Sequence, residues 1–235
     1  MLARLPLLGG LLAIALAFGL GSVAIADGIK NRNQNNVIVV TGSVKRRVFS
    51  DYAIWSASIG SEQQTAAGAA RELAAVTTTI RNFLRKAGAR DSEVSVTPIS
   101  VVALRKKGNV VGYRLTRRFV VRSSRVQQVA ALAEQTSQLF RQGIPIGAAP
   151  VRYLYTNLPA LRPRLLAEAA RDAKQRARAL VDATGGHLGG LRGVDVGVFQ
   201  VTSPNSTEVS DYGVYDTSTR EKDVTAVVNA TFALG

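Results

Sequence analysis

Residues 65–88 read TAAGAARELAAVTTTIRNFLRKAG. Ala66, Ala69, Ala70, Leu73, Val76, Thr77, Ile80, Phe83 and Leu84 recur at the spacing that gathers side chains on one face of a helix. Gly88 stands where a helix exits through a left-handed residue. On either side the period changes from 3.6 to two. Residues 37–49 open with Val-Ile-Val-Val-Thr-Gly and read as a strand, Ser50-Asp51 as a turn, and 52–59 as a return strand. Beyond Gly88, residues 93–104 are β-rich, with Pro98 marking an edge or bulge. Lys106-Lys107-Gly108-Asn109 is a tight turn, and 110–122 returns. The stretch therefore sits inside a β-α-β-β unit.

The same order recurs downstream. Ser123-Ser124 caps a helix over 125–141, which Gly143 and the Pro145–Pro150 stretch end. A strand over 151–156 follows, then a long Ala/Arg helix over 161–183 with Leu165, Leu166, Ala169, Ala173, Ala177 and Leu180 on its buried side. Strands over 191–201 and 224–232 close the chain, separated by a polar loop over 202–223. The fold expected is α+β: two β-α-β-β units, a mixed and mainly antiparallel sheet, and long helices packed on one side. The domain division expected is one body over 37–235, made of halves 37–122 and 143–235 joined by a helix over 124–142. The likeness of the halves lies in the order of elements rather than in residue matches.

The N-terminus indicates a compartment. Arg4 is the only charge in residues 1–26, and an uncharged run from Leu5 ends in Ala24-Ile25-Ala26. A basic start, an apolar middle and small residues at the end read as a secretory signal with an A-x-A cleavage site. An uncleaved anchor is the alternative, although Pro6 and several glycines interrupt the run. Residues 27–36, DGIKNRNQNN, read as a flexible lead-in. The expected location is outside the cytosol, periplasmic or envelope-associated.

The chain has no cysteine, one methionine and a formal charge of +14, of which Arg4 supplies one. Thiol catalysis, thiolate metal sites and redox motifs are thereby excluded. So basic a surface attracts polyanions. In the cytosol nucleic acid would be the first suspect. For an exported chain nucleic acid is not expected, and the candidates are anionic lipid headgroups, acidic glycans or an acidic protein. Plain solubility through charge competes with all three.

No catalytic, metal or cofactor set can be assembled. His187, the only histidine, lies in Gly-Gly-His-Leu-Gly-Gly without a second ligand or a paired nucleophile and reads as a turn residue. That glycine run follows a helix, so it is a C-cap and turn rather than a phosphate cradle. Glu208, Asp211, Asp216, Glu221 and Asp223 fit no calcium loop and read as a solvated loop. Tyr212 and Tyr215 in that loop are candidate partner contacts, against the alternative of a flap folded on its own sheet. The strongest surface feature is the basic hairpin. Arg114, Arg118 and Arg122 share one strand face, Tyr113, Leu115, Phe119 and Val121 the other, and Arg105, Lys106 and Lys107 crown the turn. An anion-binding stripe and a charge-protected strand edge predict the same residues.

Several of these stretches, in this order, resemble the SIMPL domain: Val39-Val40-Thr41-Gly42; Leu84-Arg85-Lys86-Ala87-Gly88 with Asp91-Ser92-Glu93-Val94; Gly112-Tyr113-Arg114; Glu168-Ala169-Ala170-Arg171-Asp172-Ala173; and Ala177, Ala179 and Leu180 leading to Gly185-Gly186 and Leu188-Gly189. The resemblance spans about 37–232. It implies an exported, envelope-associated bacterial protein without accepted catalytic residues, from a family some of whose members are linked to oxidative-stress defence and some of which form large oligomers. The chain departs from the usual pattern at Gly42-Ser43-Val44, at Ser50-Asp51 and at Arg117. The expectation is therefore a non-catalytic envelope protein acting as a homo-oligomer or through surface contacts. The alternative is a monomeric module that binds polyanions or membrane surfaces through the basic hairpin.

Overall fold

The computed structural model describes residues 36–235, so the stretch read as a secretory signal, and all of the lead-in but Asn36, lie outside the described residues. The chain forms two compact units, each assembled from separate stretches. Among the described residues one comprises 36–43 with Glu168–Gly197 and Val227–Gly235, the other Val44–Ala167 with Val198–Ala226. The expected α+β class holds, with two mainly antiparallel sheets.

In the larger unit the centre is a long antiparallel pair. Strand β2 (Tyr52–Gln63) runs against β5 (Asn109–Ser123), in register from Ala53↔Ser123 to Gln63↔Tyr113. Strands β3 (Val94–Val96) and β4 (Ser100–Lys106) follow one another along the far edge of β5, and Pro98 sits in the interruption between them. Two short strands, β6 (Ile146–Ala148) and β7 (Arg152–Leu154), pair with the other edge of β2. The odd positions of β2 and β5 turn inward. Trp55, Ala57, Ile59, Leu115, Phe119 and Val121 bury against Leu73, Ile80 and Leu84 of α1 (Ala66–Lys86) and against Val129 and Leu132 of α2 (Val126–Gln135). Thr65 caps α1, its hydroxyl accepting from the Gly68 amide at 3.1 Å, and Gly88 leaves the helix at φ +86°.

The helix read over 125–141 is two pieces. It breaks at Thr136, where α3 (Ser137–Arg141) begins. Strand β6 went unread because Pro145 and Pro150 enclose it; three residues on an edge are enough to pair with β2.

Strand β1 (Val37–Phe49), helix α4 (Leu158–Ala183) and strand β10 (Glu221–Leu234) each give residues to both units. The larger unit holds the start of α4, where the Asp51 carboxylate accepts from the Thr156 and Asn157 amides at 2.7 and 3.1 Å. Val48, Leu158, Leu165, Val201, Val224 and Ala226 form a second core there. In the smaller unit Val40, Ala173, Ala177, Ala230 and Phe232 pack together. The second sheet is ordered β1-β10-β8, with β8 spanning Leu188–Val196 and β9 (Gln200–Thr202) pairing separately with β10.

Three expectations change. The buried seam of α4 runs Leu165, Ala169, Ala173, Ala177, Val181, whereas Leu180 is 56 % exposed; steps of four along the helix carry the seam to Val181. The strand read over 191–201 divides at Gly197–Phe199 into β8 and β9. Leu188, Gly189 and Gly190, read as a turn, open β8.

Candidate functional site

The β4–β5 hairpin closes on a two-residue turn. Lys106 pairs with Asn109, and Lys107 and Gly108 both have positive φ, +50° and +87°. This is the type I′ geometry whose twist matches a hairpin, and Gly108 meets its second positive φ without strain. Arg105 donates to the Gly108 carbonyl at 3.0 Å, while Lys106 and Lys107 stand exposed at the tip.

Alternation along β5 places Arg114, Arg118 and Arg122 on the face away from the helices, as expected, and all three are exposed. Their cross-strand neighbours on β2 are Glu62, Ser58 and Ile54. Serine and glycine at 56, 58 and 60 keep that face low, so the guanidinium groups rise above it. Arg114 is committed to Glu62, with both Nε and Nη2 at 2.9 Å from Oε2. Arg122 reaches Ser95 Oγ at 3.5 Å. Arg118 has no ion-pair partner among the described residues; its backbone amide donates to Thr97 Oγ1 at 3.1 Å. Four residues of strand separate these arginines, about 13 Å. No single small anion spans that distance, whereas the repeating groups of an extended polyanion do, and the guanidinium groups of Arg118 and Arg122, unlike that of Arg114, offer a fork to phosphate, sulfate or carboxylate. Arg117, of opposite parity, lies on the helix side. It donates to Thr77 Oγ1 at 3.4 Å, and its buried Nε has no acceptor.

The hairpin is also apolar. Val101, Val102, Val110 and Val111 are 58, 52, 43 and 51 % exposed, and they occupy both faces of its outer half. Strand β4 is an edge strand: in the described residues it pairs only with β5.

The loop before β10 is tied down. Tyr215 OH accepts from the Tyr155 amide at 3.0 Å and donates to the Tyr155 carbonyl at 2.8 Å. The Gln200 side chain holds the Ser210 carbonyl and the Val214 amide. Tyr215 therefore latches a flap to its own unit, whereas Tyr212 projects, 97 % exposed. His187 is exposed, and its carbonyl accepts from the Gly235 amide at 2.8 Å. Among the described residues no group of three or more His, Asp or Glu side chains could hold a metal ion.

Two polar clusters went unread in the sequence, and both are structural. Lys222 is fully buried, its Nζ donating to the Asp216 and Thr219 carbonyls at 2.7 and 2.8 Å and to Asp216 Oδ2 at 3.1 Å. Burial pushes the Asp216 carboxyl up, but hydrogen bonds from Ser218, Thr219 and Lys222 outweigh that and hold it far below the usual carboxylate range. Asp223, also buried, accepts from Arg47 Nε at 2.9 Å and sits below its usual range for that reason. The solvated reading of the acidic loop is thus corrected at both aspartates. The signal was available, because Lys222 has the same strand parity as the buried Val224, Ala226 and Val228. In the second cluster Glu93 accepts from Arg125, from Ser123 Oγ at 2.5 Å and from the Arg90 amide at 2.9 Å. Arg125 above all brings its pKa down to about 2.

The matched sequence runs through all of these elements. The model of the SIMPL family, described as a protein of unknown function (DUF541), matches residues 38–232. A comparison with curated proteins gives no match.

Proposed function

The chain belongs to the SIMPL family, and from that premise we propose that it is a non-catalytic, exported envelope protein that acts by self-assembly through its β4–β5 hairpin. The observation that carries this is the outer half of the hairpin: an unpaired strand edge with valines open on both faces. Such an edge is a template for pairing with another chain, and two lysines at its tip limit the pairing to partners that tolerate charge. The oxidative-stress setting of some family members suits the composition. With no cysteine, and Met1 as the only methionine, the chain past its first residue has no sulfur to oxidise. Any role in that defence therefore does not run through thiol chemistry. Light scattering on residues 27–235 at low and high salt tests the proposal. Assembly that Val101→Lys with Val110→Lys abolishes supports it; a strictly monomeric protein refutes it.

Arg118 favours a second reading, as a cation without an ion-pair partner on an exposed sheet face. In this reading the protein is a monomer that binds an anionic lipid surface, acidic glycan or acidic protein through Arg118, Arg122 and the tip lysines. Binding to anionic vesicles should fall when Arg114, Arg118 and Arg122 become Ser. Unchanged binding would leave the stripe a solubility device.

A further inference from the structure

A second feature lies in the smaller unit, away from the basic hairpin. A groove of about 350 Å³ runs between α4 and the β8–β10 strands. Its size falls at the lower end of the range for small-molecule sites. Small residues create it. Ala170 gives the helix wall little bulk, and Gly189 and Gly190 give the strand wall none. Irregularities in the β8–β10 register on both sides of Phe232 shift the two strands there. Buried Ala230 and Phe232 form the floor. Leu191 and Val194, 56 and 47 % exposed, stand along the strand side.

The rim is cationic. Arg171 and Lys174 line the groove from successive turns of α4, both are exposed, and neither has an ion-pair partner among the described residues. Asp172, between them in sequence, is engaged elsewhere: it accepts from the Ser43 amide and from Arg176, each at 2.8 Å, and both hold it below its usual range. An apolar trough flanked on its helix wall by two cations without ion-pair partners among the described residues matches a molecule with an apolar tail and an anionic head. The volume suits one chain, not the two of a bilayer lipid.

We infer that this groove binds a single-chain anionic amphiphile of the fatty-acid class. The tail lies along Leu191, Val194, Ala230 and Phe232, and Arg171 and Lys174 hold the carboxylate. The inference does not depend on the hairpin. Its ligand set separates it from the polyanion reading, which needs no apolar floor.

Calorimetric titration of laurate into the full chain, below the concentration at which laurate forms micelles, tests it. One site is expected. Shortening the chain by two methylenes should weaken binding about four-fold, half the full transfer value because the groove is open along one side. Arg171→Ser with Lys174→Ser should weaken laurate about ten-fold and leave its methyl ester unaffected. Val194→Asp should abolish binding of both. All three side chains are exposed, so the variants should keep the parent melting temperature. A second block comes from Gly190→Phe, because a side chain there meets nothing within 4 Å. Four results would each overturn the inference: no laurate binding; equal binding of octanoate and laurate; the double variant binding laurate like the parent; or Val194→Asp removing self-association while laurate still binds, which would make the groove an interface between copies. Sedimentation with phosphatidylglycerol vesicles without any binding of free laurate would assign the groove to a membrane and also overturn it.

Discussion

Gly42 offers the sharpest test of how the smaller unit is packed. A Cβ placed there would stand 2.2 Å from the Ala169 carbonyl oxygen, 2.4 Å from the Ala173 amide nitrogen and 2.7 Å from the Ala173 Cβ. Two of these neighbours are helix backbone, which cannot turn aside as a long side chain would. Carbon and carbonyl oxygen approach no closer than about 3.3 Å. Gly42→Ala therefore has to part β1 from α4 by about 1 Å, across a core where Val40, Ala173, Ala177 and Ala230 are packed without slack. Overpacking of a well-packed core costs about 1–3 kcal/mol, occasionally more; contacts this short put the cost at the top of that range, about 3 kcal/mol. At about 2–4 °C per kcal/mol for a chain of this size, the melting temperature should fall by about 6–12 °C. Calorimetry measures the fall, and hydrogen exchange should place the lost protection in 37–43, 168–183 and 227–234. Gly193→Ala is the control: its nearest neighbour is at 4.0 Å, and it should cost less than about 1 kcal/mol. Ala173→Gly should rescue little, because the two backbone contacts remain. A Gly42→Ala protein that melts with its parent would refute the close approach of strand and helix.

Other tests address the polar clusters. Lys222→Met removes the cation from a buried, hydrogen-bonded pair and leaves Asp216 uncompensated; stability should drop by about 3–5 kcal/mol in urea titrations, with Lys222→Met/Asp216→Asn partly restored. Glu93 has its pKa lowered from 4.5 to about 2, so its contribution is complete above about pH 4.5 and is lost as pH falls toward 2. Glu93→Gln should therefore flatten the acid limb of a stability–pH curve, and a limb of unchanged slope would contradict the Arg125 assignment. Tyr215→Phe should cost about 1 kcal/mol and speed exchange of the Tyr155 amide, which the phenol oxygen accepts from.

The sequence was most legible where one period ran long. The β2–α1–β5 framework could be read because a helical stripe of nine residues lies between strands that alternate cleanly, and those strands pair without a break from Ala53↔Ser123 to Gln63↔Tyr113. The arginine stripe followed from the same parity. Legibility failed where partners decide the outcome. Strand β6 exists because the β2 edge accepts it, against the bias of two flanking prolines. The helix break at Thr136 has no glycine or proline to announce it. Val181 replaced Leu180 in the α4 seam because the seam follows a four-residue step set by the strands it packs on. The buried Lys222 was hidden by residue type, since lysine is rarely buried unless it is fully paired, and its acceptors lie in a loop without periodicity. The groove beside α4 was invisible for a related reason: it is made by what Ala170, Gly189 and Gly190 lack.

The burial of Lys222 has a chemical consequence. An enclosed ammonium with three acceptors cannot present a free amine to an acylating reagent, whereas the other described lysines, at 45, 86, 106, 107 and 174, are all open to one. In a timed labelling experiment read by mass spectrometry, Lys222 should be the last of them to be modified. Its half-time would then report how often the 203–220 segment lifts from β10, a built-in clock that needs no added probe.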